Sequence, residues 1–185
     1  MQTQYKKFLT QALWVAIVVV AIRCLISWDD IIANPNAYDL YGYASEAVAV
    51  TGLLMMMYEK WLWRWIPLKS VPALKKKYTG ILKSSYDDCE HNATIEIKQT
   101  LLYVRVTVIT KESKSQSLSA SIIEEHGEKQ LVYTYLNIPK SEFRHRSEIQ
   151  YGTAVLCIDN PKELIGRYYT DRKTIGDMKF TPSTK

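Results

Sequence analysis

With 185 residues, the chain has room for one ordinary domain and a small appendage, not for two full catalytic domains. Hydrophobic residues make up 47% of it and charged ones 23%, which excludes a wholly disordered protein, and seven glycines with six prolines exclude collagen-like or low-complexity architectures. The formal net charge is +5, and the three cysteines, Cys24, Cys89 and Cys157, form no C-x-x-C pair and are too few for a disulfide framework, which fits a reducing compartment.

The apolar residues are concentrated near the N-terminus. From Phe8 to Trp28 only one charge, Arg23, interrupts a run that at about 1.5 Å per residue spans the ~30 Å hydrocarbon core of a bilayer. A second run, Tyr41 to Trp65, carries Glu46 inside it and Glu59, Lys60 and Arg64 near its end, where Trp61, Trp63 and Trp65 have the spacing of an interfacial aromatic belt. The expectation is an N-terminal tail and two transmembrane helices within residues 1–65, the helices lying at about 8–28 and 43–63. No small-residue cleavage site follows the first run, so it is read as a retained helix and not a signal peptide. Lys6 and Lys7 precede the first helix and Lys60, Arg64, Lys69, Lys75, Lys76 and Lys77 follow the second, whereas the loop from Asp29 to Leu40 has neither Lys nor Arg. The positive-inside rule therefore puts both termini in the cytoplasm and the loop outside.

Two charges fall within the spans. Arg23 lies about 22 Å along its helix from Phe8, and Glu46 about 26 Å before Trp63, so an antiparallel hairpin brings them to similar depth. Charges inside a bilayer are costly unless paired. Arg23 and Glu46 are expected either to pair, within one chain or between chains, and to help several copies assemble, or to snorkel separately to the outer interface.

Residues 66–77 contain Pro67, Pro72 and four lysines and read as a linker. Beyond Lys77 the pattern changes to period two: Leu102, Val104, Val106, Val108 and Thr110 share one face of a strand, and Tyr103, Arg105, Thr107 and Ile109 the other. Further runs begin at Tyr78, Ala93, Ser117, Lys129, Ile149, Leu164 and Ile175, with a hairpin signal at Glu125-His126-Gly127 and a break at Asn160-Pro161. These make about eight short strands in residues 78–185, joined by connections too short for parallel crossovers. The all-β domain either closes into a small up-and-down antiparallel barrel, which can hold one small ligand in its mouth, or splits into a sandwich.

The β domain carries 15 Lys and Arg against 14 Asp and Glu, so it is nearly neutral and unsuited to binding a DNA or RNA polymer. The three histidines form no H-E-x-x-H motif, and there is no G-x-S-x-G, P-loop or G-x-G-x-x-G sequence, so neither a catalytic site nor a metal site nor a cofactor is expected. The segment Gly166-Arg167-Tyr168-Tyr169-Thr170-Asp171-Arg172 puts Tyr168, Thr170 and Arg172 on one face. A ring, a hydroxyl and a guanidinium together suit a nucleotide, the ring stacking on a base and the Arg gripping phosphate. The alternative is that Tyr168 is core and Arg172 a solvated rim residue. Thr110 ends an apolar strand face, where a barrel's mouth lies, and Tyr78 heads the first strand with Gly80 and Leu82 on its face.

Tyr78-Thr79-Gly80 at the start of the β domain and Gly166 to Arg172 near its end, in a chain built of a short tail, two membrane helices, a Lys-rich linker and a β domain, resemble the membrane effectors of bacterial CBASS anti-phage systems. These SMODS-associated proteins join two transmembrane helices to a minimal eight-stranded β-barrel. The resemblance covers essentially the whole chain. It implies a non-enzymatic sensor in the bacterial inner membrane, with a cytoplasmic barrel that binds a cyclic dinucleotide made by a partner nucleotidyltransferase. Binding drives copies to assemble among the membrane lipids and disrupt the bilayer, killing the infected cell. On that resemblance Tyr78, Thr110 and Arg172 are the expected nucleotide contacts, with Tyr168 as a pocket wall. Their shared strand parity agrees with it, and a register slip of one residue would reverse it. The alternatives are a membrane-anchored barrel that carries a lipid and one that docks a protein partner.

Overall fold

A computed structural model describes residues 2–33, 36–65, 71–87 and 89–183, which form two compact units, Met1–Ile66 and Pro67–Lys185. In the first unit, helix α1 covers Gln2–Ile26, a short helix α2 covers Trp28–Ala33, and α3 covers Ala37–Lys60. Both α1 and α3 are long and apolar enough to cross a membrane. The second helix starts earlier than its apolar run suggested, because the Asn36 side chain accepts a hydrogen bond from the Tyr38 amide at 3.0 Å and caps it there. The expected Asp29–Leu40 loop is therefore mostly helix. A single-turn 3-10 helix, Leu62–Arg64, follows α3, with Trp61 and Trp65 exposed and Trp63 buried, so the three tryptophans do not form one belt.

Arg23 and Glu46 meet within the chain. The Arg23 Nε donates to Glu46 Oε2 at 2.9 Å and its guanidinium also donates to the Ser27 hydroxyl at 2.8 Å. The same guanidinium lies 4.6 Å from the Tyr43 ring centroid, so Glu46 and Tyr43 of α3 and Ser27, just past the end of α1, share one guanidinium.

The second unit is a closed barrel of eight antiparallel strands in sequence order, β1 Lys77–Ser84, β2 Glu90–Gln99, β3 Val104–Thr110, β4 Ser113–Glu125, β5 Glu128–Pro139, β6 Gln150–Cys157, β7 Leu164–Thr170 and β8 Ile175–Pro182. Each strand pairs with its neighbours, and β8 returns to β1, with Tyr78 opposite Pro182 and Ser84 opposite Gly176. The sequence left barrel and sandwich open; the β1–β8 ladder decides for the barrel. His126 and Gly127 both have positive φ, the geometry of a two-residue hairpin turn that matches strand twist. A bulge between Ser117 and Ser119 shifts the parity of β4, so Ile122 points inward alongside Ser115.

The interior changes character along the barrel axis. At one end Tyr78, Ile95, Leu131, Leu156, Leu164 and Phe180 are wholly buried and fill the section. Residues of the expected linker belong to this end: the Leu74 amide donates to Gln99 Oε1 and Gln99 Nε2 donates to the Pro72 carbonyl, both at 2.9 Å, while Val71 and Leu74 are buried. Residues 66–70 of that linker lie outside the described residues. Towards the other end the inward positions become Ser84, His91, Thr110, Ser113, Asn137 and Gln150, and the section opens.

A barrel this narrow needs strands to pass close together. A Cβ on Gly166 would sit 1.9 Å from the Val155 carbonyl oxygen, which belongs to backbone and cannot move aside. Gly166→Ala is expected to destabilise the barrel by about 1–3 kcal/mol, visible as a lowered thermal midpoint of the full chain in detergent.

Candidate functional site

The polar end of the barrel holds a cavity of about 170 Å³ that opens at the rim. Its apolar floor is Leu82 and Val108, its walls include the Tyr135 and Tyr168 rings, and its rim is built from four connections: β1–β2, β3–β4, β5–β6 and β7–β8.

Each wall ring lies over a glycine on the adjacent strand. Tyr135 pairs across the sheet with Gly152, and a Cβ there would come within 2.4 Å of the ring; Tyr168 pairs with Gly176 at the same 2.4 Å clearance. The two glycines let the rings fold flat against the wall and leave the lumen open. Burial, with Tyr168 and Asp171 nearby, pushes the Tyr135 phenol well above its ordinary range. Burial likewise raises Tyr168, and the Ser84 hydroxyl partly offsets it. Both phenols are therefore neutral donors at physiological pH, with ring faces available for stacking.

Polar groups on the lining are partly committed. Asn137, only 8% exposed, accepts at Oδ1 from the Ser115 hydroxyl at 2.8 Å, leaving its amide NH2 without a partner among the described residues. The Thr110 hydroxyl oxygen accepts from the backbone amides of Glu112 at 3.2 Å and Ser113 at 2.9 Å, tying the β3–β4 turn. Around the rim, Asp87 meets His91 Nε2 at 2.8 Å and Glu112 pairs with Arg146. Burial acts to raise the Asp87 pKa, but the Cys89 amide and the His91 ring outweigh it and hold the carboxyl below its ordinary value. Arg172 stands in the β7–β8 turn, where Lys173 takes a positive φ and its amide donates to the Thr170 carbonyl at 3.1 Å. Its guanidinium forms no ion pair among the described residues.

Thr110, Tyr168 and Arg172 thus line one cavity; Thr110 and Tyr168 do so from inward strand positions, whereas β7 ends at Thr170 and Arg172 reaches the cavity from the turn beyond it, not from the strand face expected for it. Tyr78 has the predicted inward parity but lies at the opposite, filled end. It is wholly buried, its phenol accepts from the Lys75 amide at 2.9 Å and donates to the Pro161 carbonyl at 3.0 Å, and it does not line the cavity. Parity assigns a face and says nothing of the level along the axis. Sequence reasoning passed over Tyr135, Asn137 and Arg146. The first two had a usable signal, since Tyr135 and Asn137 alternate with Leu131 and Tyr133 on the inward face of β5. Arg146 had none, because it comes from an irregular connection.

Residues 69–182 match the family described as Cap15, cyclic dinucleotide receptor domain. The match takes in all eight strands and every cavity wall. The chain belongs to the Cap15 family. CD-NTase-associated protein 15 of Staphylococcus schleiferi is 32% identical over 159 residues, covering 84% of this chain and 80% of that protein, a span longer than the barrel alone.

The division between filled end and open end has a direct test. Tyr78→Phe strands the Lys75 amide and the Pro161 carbonyl and is expected to cost about 1–3 kcal/mol of stability. A chemical-denaturation curve will show that loss, while the affinity of any ligand bound in the open end stays at the wild-type value.

Proposed function

We propose that this chain is the membrane effector of a CBASS anti-phage system, and that the open end of its barrel binds a cyclic dinucleotide made by a partner nucleotidyltransferase. The observation that carries the reading is the cavity itself, in a chain of the Cap15 cyclic dinucleotide receptor family: two tyrosine rings, the Asn137 amide, several hydroxyls and two rim arginines converge on one opening. Rings stack on bases, and guanidiniums grip phosphodiester oxygens in a fork that Lys cannot reproduce.

The cavity volume of about 170 Å³ is below the roughly 300–1,000 Å³ that encloses a drug-sized ligand. One base therefore enters between the walls, and the doubly charged macrocycle stays at the rim, where Arg172 and Arg146 stand. This arrangement needs no catalytic group, and we read the protein as a receptor and not an enzyme. A lipid carrier would need an apolar lumen. The apolar end here is filled by Tyr78, Leu131, Tyr133 and Phe180, and the open end is lined by hydroxyls and charges.

In this reading α1 and α3 anchor the protein in the inner membrane with both termini and the barrel on the cytoplasmic side, following the lysine distribution. Ligand binding favours an assembled state in the bilayer by its differential affinity for that state, and assembly disrupts the membrane. The Arg23–Glu46 pair sets the hairpin geometry from which copies assemble.

Calorimetric titration of the full chain in detergent with a panel of cyclic dinucleotides, covering all pairings of the four ribonucleobases, tests the binding step. One member is expected to bind, and Arg172→Ala to weaken it by about ten- to a hundredfold while the far-ultraviolet spectrum is unchanged. A folded protein that binds no member would end the reading. For assembly, Glu46→Gln is expected to reduce the ligand-dependent oligomer seen by cross-linking in membranes. Unchanged oligomer size and unchanged growth arrest would remove the pair from the mechanism.

A further inference from the structure

The two arginines on the rim are in different states. Arg172 makes no ion pair among the described residues, whereas Arg146 is held by the Glu112 carboxylate, which comes from the neighbouring β3–β4 turn. We propose that Glu112 is an internal placeholder for a ligand phosphodiester: it occupies Arg146 in the empty receptor, and the second phosphodiester of a bound cyclic dinucleotide displaces it. The inference rests on the cyclic dinucleotide reading of the cavity.

Four observations support it. Both side chains line the cavity, so the pair sits where a ligand at the rim must lie. Both are partly solvated, at 48% and 35% exposure, so the bridge is an exchangeable rim contact and not a buried structural one. A carboxylate and a phosphodiester present the same pair of oxygens to a guanidinium, so one can replace the other without moving the arginine. Finally, Arg146 and Glu112 are each positioned by other bonds. The Arg146 guanidinium lies 5.1 Å from the Phe143 ring centroid and its backbone amide donates to the Phe143 carbonyl at 3.2 Å. The Glu112 amide donates to the Thr110 hydroxyl and its carbonyl accepts from the Lys140 amide at 2.8 Å. Release of the ion pair therefore leaves the β3–β4 turn and the β5–β6 connection in place, with only the carboxylate swinging out to water.

The consequence is selectivity for a ligand with two phosphodiesters. A ligand with one phosphodiester finds Arg172 without an ion pair and has no second group to compete for Arg146. Without a placeholder, Arg146 would be open to any cellular phosphate.

The test is a double-mutant cycle on the full chain in detergent, titrating the same panel of cyclic dinucleotides into wild type, Glu112→Gln, Arg146→Gln and the double variant. Glu112→Gln keeps the shape and removes the charge, and is expected to tighten binding by about three- to fivefold, the scale of a partly exposed ion pair. Arg146→Gln is expected to weaken it about tenfold, and Glu112→Gln to have no further effect in that background. Equal or weaker binding by Glu112→Gln overturns the proposal. So does a tightening that persists undiminished without Arg146, which would make Glu112 only a general source of repulsion. If wild type binds no panel member while its spectrum shows a folded barrel, the functional reading itself falls and takes this one with it, an outcome distinct from the other two.

Discussion

The ladder between β1 and β8, from Tyr78 opposite Pro182 to Ser84 opposite Gly176, removes both edges of the sheet and gives the strands a common inside. An eight-stranded barrel is only wide enough for its own inward side chains, so any cavity must come from residues that decline to fill the section. This chain creates one with small hydroxyl residues and with Gly152 and Gly176, over which two large rings fold back against the wall. The opposite end is packed by Tyr78, Leu131, Leu156 and Phe180, and the segment just before the first strand, anchored through Gln99, joins it. The packed end supplies the hydrophobic free energy of the barrel, and the open end is free to carry polar groups.

Several of those polar groups are paired with one another. Asp87 is matched by His91 and Glu112 by Arg146, and each match joins residues on or beside a connection between strands. Among the described residues that line the cavity, Arg172 is the cation without an ion pair.

The helical unit solves a different problem with similar means. Arg23 within an apolar helix is tolerable because Glu46, Ser27 and Tyr43 surround its guanidinium, and the cost of two separated charges becomes a specific contact between α1 and α3. The pair fixes which faces of the two helices meet, where apolar packing alone would leave their rotation weakly specified.

The sequence by itself determined the element types, the order of eight strands, their inward faces and the two long apolar helices. These follow from local periodicity: period two in β3 and β5, and unbroken apolar runs in α1 and α3. It also placed Thr110 and Tyr168 on one face, which the Cap15-type barrel brings into one cavity. What only the tertiary structure decided is level and closure. Tyr78 shares that face yet lies at the packed end, because antiparallel strands start alternately at opposite ends and parity carries no information about height. The start of α3 depended on one capping side chain, Asn36, and barrel rather than sandwich depended on a pairing between residues about a hundred positions apart. Arg146 reaches the mouth from an irregular connection with no periodicity to read, so its place on the cavity and its pairing with Glu112 are visible only in the folded structure.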